Sequence, residues 1–204
     1  MPEGYQFSRE GNRRRNLTLS RPAFIQPAMS ERATAAAALP EVRTESGRDL
    51  SELAERGPLL LVFLRHWGCP FCRQLLPDLA GLRKAIEGQG VQLIFVHMGT
   101  PERARPYFEH YGLGDIERVS DAEKTLYRHP LFALPSKSIL GIVLHPAAVL
   151  GFLKGVAVRH GMEVRFREDP EQMPGAFLLR DGRVIRAHRP RSIAEQPDWL
   201  RFIA

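Results

Sequence analysis

The sequence predicts an α/β fold with a central mixed sheet flanked by helices. Three observations carry this expectation. Short apolar runs alternate along the chain with stretches of helical periodicity, the order that builds layered α/β domains. Near the C-terminus, two strand-like runs flank Arg180-Asp181-Gly182-Arg183, with Asp-Gly at the turn of a hairpin. A chain of 204 residues, 44% hydrophobic and 25% charged, can bury a sizeable core and has neither the composition of a disordered chain nor that of a disulfide-stapled miniprotein.

The regular pattern starts near Glu41. Glu41 to Thr44 reads as a short strand, Ser46-Gly47 as a turn and Asp49 to Ser51 as a one-turn helix. Leu59 to Leu64, behind Gly57-Pro58, is continuously apolar, as in a strand buried on both faces. From Pro70 to Glu87, Leu75, Leu79, Leu82 and Ile86 form one stripe of an amphipathic helix that Gly88 and Gly90 end. Val91 to Val96 is a second buried strand. Pro101 to Tyr111 is a helix with Pro in its first turn and Gly112 after its end. Glu117 to Ser120 is a short strand, and Asp121 is placed to cap a helix running through Tyr127. Ala176 to Leu179 and Val184 to Ala187 are the hairpin strands, and Pro197 to Ile203 is a terminal helix.

Two segments stand apart from this pattern. Residues 1–39 hold six arginines (Arg9, Arg13, Arg14, Arg15, Arg21 and Arg32) against Glu3, Glu10 and Glu31, which is half of the formal charge of +6. With no hydrophobic periodicity and no apolar core of a secretory signal, they read as a flexible basic arm, and Met29 raises an alternative start for the chain. The arm's share of the charge makes the pI near 9.8 weak evidence for nucleic acid, which is not expected as a partner. The second segment is an apolar insertion at about residues 131–160. Its most hydrophobic part, Ile139 to Val158, approaches a membrane span in length, but His145, Pro146 and Lys154 interrupt it. It is expected to cover part of the domain or to form a dimer surface, and no membrane association is expected. Residues 40–204 are then one domain.

The chain's two cysteines stand as Cys69-Pro70-Phe71-Cys72. A loop that short constrains little unfolded-chain entropy, so the pair is of chemical rather than stapling value. It falls between the first buried strand and the first long helix, at the sheet edge where open α/β folds place reactive groups. The helix N-terminus favours a thiolate at Cys69, and Pro70 suits the first helical position because its missing N–H is not needed there. Cys69 is therefore the expected nucleophile and Cys72, one turn further in and less exposed, its resolving partner. Arg65, His66 and Arg73 are placed to add positive potential. A zinc site would need two more ligands; there are no other cysteines, and the seven histidines contain no H-x-x-x-H pair. No metal is expected.

The segment VFLRHWGCPFCRQLLPDL (Val62 to Leu79) resembles the thioredoxin-like superfamily, and within it the peroxiredoxin-like AhpC/TSA antioxidant family, related to selenoprotein-L-type redox proteins. Phe63, Arg65, Gly68, Cys69 and Cys72 carry the likeness. It continues through VQLIFVHMGTPERARPYFEHYGL and VSDAEKTLYR and resumes at QMPGAFLLRDGRVIRAHRPRSIAEQPDW. The resemblance implies a thioredoxin-like fold and a thiol-dependent oxidoreductase whose Cys69/Cys72 dithiol reduces peroxides or protein disulfides. No cofactor is implied; a thioredoxin- or glutathione-type thiol system would restore the dithiol in a reducing cytoplasm. Pro174, in the loop before the hairpin, becomes the candidate for a cis-proline packed against the dithiol, or else an ordinary turn residue. The sequence departs from peroxiredoxins in one respect: the Thr or Ser three residues before the nucleophile is replaced by His66. Arg65 or His66 would then have to bind the peroxide, and Trp67 is either an apolar wall for the thiolate or plain packing. The alternative to turnover is a redox-responsive binding module on the same scaffold, with a homodimer as one form of the partner surface.

Overall fold

The computed structural model describes residues 38–154, 156 and 167–204. The basic arm, apart from its last two residues, lies outside the described residues, as do residues 155 and 157–160 of the apolar insertion.

Five strands form one sheet in the order β3-β2-β1-β4-β5. Strand β1 (Leu59–Phe63) is central, parallel to β2 (Gln92–His97), and β2 is parallel to β3 (Glu117–Ser120). On its other side β1 is antiparallel to β4 (Gly175–Arg180), which turns back into β5 (Arg183–His188). Asp181 and Gly182 make that turn with φ of 51° and 70°, the left-handed pair that matches the twist of a two-residue hairpin. The sheet is therefore mixed because helices carry the chain across its parallel half while a tight turn builds its antiparallel half.

The helices lying wholly within the described residues are α1 (Leu50–Glu55), α2 (Pro70–Glu87), α3 (Pro101–His110), α4 (Thr125–Arg128), α5 (Ile139–Val143), α6 (Pro146–Leu153) and α7 (Trp199–Ile203). Every residue of β1 is buried, as its unbroken apolar run requires when both faces are covered. Leu60, Val62, Phe95, Ala176 and Leu178 face α2, α3 and α7 through Leu76, Leu79, Phe108 and Trp199. Leu61, Phe63, Val96 and Phe177 face Leu53, Tyr127 and Phe132. On that second face Phe63 packs edge-on to Tyr127 and Phe177 at ring separations of 5.1 and 5.4 Å, a favoured aromatic geometry.

Three local expectations are corrected. Glu41 to Thr44 forms no strand: one bridge joins Arg43 to Asp49, because the chain reverses at once through Gly47, whose φ is 86°. The one-turn helix is longer and starts at Leu50. Asp121 acts from farther back than a capping position: Lys124 occupies that place, and the Asp121 carboxylate accepts from the N–H groups of Thr125 and Leu126, each at 2.8 Å.

The described part of the apolar insertion holds two short helices separated at Pro146, which begins α6 where no N–H is needed. Ser138 caps α5 and the His145 ring caps α6, each accepting a backbone N–H at 3.3 Å. Among the described residues no helix is long and apolar enough to cross a membrane.

Candidate active site

Past β1, Leu64 still donates to the Val96 carbonyl at 2.8 Å. The chain then leaves the sheet through Arg65-His66-Trp67-Gly68 and enters α2. Buried Tyr127 fixes this exit: its hydroxyl lies against the carbonyls of Leu64 and Val96. Cys69 is the residue immediately before α2, in extended conformation, and Pro70 is the first helical residue. The N–H groups of Cys72 and Arg73 both donate to the Cys69 carbonyl at 3.2 Å, so the helix begins on the nucleophile candidate itself.

Arg65 organises the site. Its guanidinium donates through Nη1 to Cys69 Sγ at 3.2 Å and through Nε to the Gln172 carbonyl at 2.8 Å, and Nη2 is bonded to the Pro170 carbonyl. Its backbone N–H donates to Cys72 Sγ at 3.3 Å. Two carbonyl anchors aim a buried cation at one sulfur, as the planar fork of arginine allows and a lysine ammonium does not.

Both cysteines are free thiols, yet their acidities diverge. Burial raises the Cys69 pKa, but the hydrogen bond from Cys72 and the charge of Arg65 outweigh it and bring the thiol down to about 5. Cys72 moves the other way, well above the ordinary thiol range, because it holds its proton to donate to Cys69 and because it is buried. The pair therefore presents a thiolate at Cys69 and a protonated thiol at Cys72. The expected difference in exposure is corrected: Cys69 is 2% and Cys72 4% exposed. Charge and hydrogen bonding, not access, distinguish them.

The two sulfurs lie under the insertion. Ile142 of α5, Ala148 and Phe152 of α6, and Met173 pack with Cys69, Phe71 and Cys72. The Phe71 and Phe152 rings meet at 5.3 Å, and Gly151 lies so close that an added Cβ would stand 2.5 Å from the Phe71 ring.

The other sequence candidates divide. His66 adds no positive potential: burial and the neighbouring Arg65 charge lower its pKa to about 4, so it is neutral near pH 7. Trp67 belongs to the core face rather than to the cluster around the thiols. It stacks on Tyr107 at 4.7 Å and meets Phe108 edge-on. Arg73 donates to the Trp67 carbonyl at 2.7 Å and lies over the Tyr107 ring, which turns its charge toward that packing. Pro174 does lie beside the dithiol, lining a cleft of ≈ 30 Å³ with Cys72, Phe71, Leu75 and Trp199. The cis expectation for it is corrected, since no described peptide bond is cis. The preceding residues are tied by Met173 N–H to the Pro135 carbonyl at 3.0 Å and by the Gln172 side-chain amide to the Pro135 carbonyl at 3.2 Å.

Sequence reading missed the carbonyls of Pro170 and Gln172, which hold Arg65, because main-chain acceptors carry no residue signature. It also missed Tyr127, which served only to end a helix. Asp169 pairs with Lys124, and Glu168 with Arg103 at 3.2 Å, so the strap that supplies those carbonyls is tied to the sheet's parallel half. Among the described residues no group of three or more His, Cys, Asp or Glu side chains is placed to hold a metal ion.

A mixed five-stranded sheet flanked by helices, with a thiol pair at the end of its central strand, has the thioredoxin-like architecture. Comparisons agree on that fold. Peroxidoxin BcpB from Mycobacterium tuberculosis shares 16% identity, with a TM-score of 0.52 over 78% of this chain and 87% of that one. The bacterioferritin comigratory protein of Xanthomonas campestris gives 16% identity and a TM-score of 0.54 over 78% and 86%. A thiol peroxidase from Chromobacterium violaceum gives 16% and 0.51 over 80% of each chain. No curated protein matches the sequence. The model of the AhpC/TSA antioxidant enzyme family matches residues 75–192, more than half of the chain. The protein belongs to that family and is a thiol-dependent oxidoreductase. The matched stretch starts at Leu75, just past Cys72, so the family assignment and the thiol geometry are separate observations.

Proposed function

We propose that the protein is a two-cysteine thiol peroxidase. The Cys69 thiolate attacks one oxygen of a hydroperoxide: an S–O bond forms, the O–O bond breaks, and the alcohol or water leaves with a proton. The thiol of Cys72 then attacks the Cys69 sulfenic acid, forming the S–S bond and releasing water. An external dithiol of thioredoxin or glutathione type reduces the disulfide by exchange, and no further cofactor takes part. The observation that carries this reading is Arg65 at 3.2 Å from Cys69 Sγ. It stabilises the thiolate and offers the cationic donor that a peroxide oxygen needs where the usual hydroxyl is replaced by neutral His66.

Rapid mixing of the reduced protein with hydrogen peroxide, and separately with oxidised glutathione, tests it. Fast oxidation by the peroxide, followed by an intramolecular disulfide, is the expected result. Reaction with the disulfide alone would reassign the enzyme to thiol–disulfide exchange.

One observation favours a second reading, a redox-responsive binding module. The helices covering the thiols turn Leu140, Leu144 and Leu153 outward, at 66%, 64% and 79% exposure, so disulfide formation beneath them would act on an apolar surface. Catalytic turnover with a thioredoxin reducing system separates the two readings.

A further inference from the structure

In the proposed cycle the Cys72 proton has to reach the departing hydroxide, and no carrier for it has been named. Once Cys69 is a sulfenic acid, its thiolate no longer holds the Cys72 proton, while burial still raises the Cys72 pKa. The cleft beside Cys72 contains a group with an open acceptor to take it, since Glu195 Oε2, also in the cleft, already accepts from the Arg191 N–H at 2.8 Å.

His188 ends β5 and pairs with Ala176, which in turn pairs with Val62. Residues paired across strands share a face, so His188 lies on the face of Val62 and Ala176, under α2 and α7. It lines the same ≈ 30 Å³ cleft as Cys72 and Pro174. Measured to water centres, about 10–15 Å³ is enough to hold a water, so the cleft has room for one between its lining groups. His188 Nε2 is buried and has no hydrogen-bond partner in the protein, an uncommon state for a ring nitrogen.

Among the cleft-lining residues the titratable groups are Cys72 from α2, His188 from β5 and Glu195 from the loop before α7. Burial lowers the His188 pKa below its ordinary value, while the Glu195 carboxylate and main chain act in the opposite direction and do not reverse the shift. The ring is therefore neutral near pH 7.

We propose that His188 is the proton acceptor for Cys72, through one water in the cleft that joins Cys72 Sγ to His188 Nε2. The inference rests on the peroxidase reading for its first step. As the Cys72 sulfur attacks the Cys69 sulfur, its proton passes to His188. The S–S bond forms, the S–O bond breaks, and the departing hydroxide leaves as water after His188 returns the proton. Cys72 is oxidised and the sulfenic sulfur reduced, in a two-electron exchange within the pair.

The test loads Cys69 of the full chain in two ways, with stoichiometric hydrogen peroxide and with methyl methanethiosulfonate, whose methyl disulfide Cys72 displaces without any peroxide chemistry. Acid quenching and mass spectrometry then follow disulfide formation in wild type, His188→Gln and His188→Ala, with thermal melting to show that each variant is folded. Loading of Cys69 is expected to keep its rate, while disulfide formation slows about 100-fold.

The pH profile gives a signature that mere packing would not. In wild type the resolution rate is expected to level off above the histidine's low pKa. In the variants it is expected to rise about tenfold per pH unit throughout, following the thiolate fraction of Cys72. Equal resolution rates and profiles in wild type and both folded variants would overturn the role of His188. Failure of peroxide alone to load Cys69 would overturn the peroxidase reading instead, with the methyl disulfide still reporting on His188.

Discussion

Arg65 and Cys69 are four residues apart in sequence and joined at 3.2 Å, yet the arginine's other two anchors come from a strap more than a hundred residues away. The thiolate's acidity is therefore set by tertiary structure. Replacing Arg65 by Gln is expected to raise the Cys69 pKa by about 2 or more, measured by thiolate absorbance during a pH titration. Arg65→Lys keeps the charge and loses the fork, and is expected to fall between. The rate at one pH is a poor gauge, since a weaker acid is a better nucleophile; the half-rise of the peroxide rate against pH should move up with the pKa.

The two thiols should be separable by reaction. Cys69→Ser is expected to abolish turnover. In Cys72→Ser the serine hydroxyl can still donate to the thiolate but cannot form a disulfide, so peroxide should leave a Cys69 sulfenic acid that dimedone traps. Alkylation of wild type should rise with pH through about 5 at Cys69 and leave Cys72 unmodified at pH 7. A Cys72 adduct forming first would exchange the two roles.

His66 links the site to stability. Its folded pKa of about 4 lies below the ordinary value of 6.5, so between those values the unfolded chain binds more protons than the native one. Stability is then full above about pH 6.5 and is lost as pH falls through 4, by about 2 kcal/mol once solvent screening is allowed for. His188, lowered in the same direction, adds to the slope. Urea unfolding at pH 7 and pH 4.5 should show a smaller difference for His66→Gln than for wild type.

The fit of α6 over the thiols depends on a missing side chain. A methyl group at Gly151 would stand 2.5 Å from the Phe71 ring, and that ring is enclosed with both cysteines. Gly151→Ala is expected to cost about 1–3 kcal/mol and to speed iodoacetamide labelling of Cys69 several-fold, since the helix must lift to make room. Unchanged melting and labelling would mean that Phe71 can swing aside.

The parallel half of the fold was legible because continuous burial leaves a continuous apolar run, and because glycines and prolines mark the helix ends; α2 begins at Pro70 and ends at Glu87 as its stripe implies. The dithiol was legible for the same local reason, standing where a buried strand gives way to a helix. What the residues did not disclose is direction. Trp67 and His66 adjoin the motif, yet one turns into the core and the other is neutral, and nothing in a linear pattern says which way a loop side chain points. The carbonyls that hold Arg65 were hidden for a different reason, since every residue supplies a carbonyl.

The strap at residues 170–172 leads into β4 and follows the insertion in the sequence, so the covering helices and the anchor of Arg65 succeed one another along the chain. If the cover lifts far enough to draw the strap with it, Arg65 loses the acceptors that aim it at Cys69. Access and reactivity would then be set against each other. In the structure the thiols are buried under this cover with Cys69 held as a thiolate, so a partner too large to reach them would have to displace the same stretch of chain that precedes the anchor of the nucleophile.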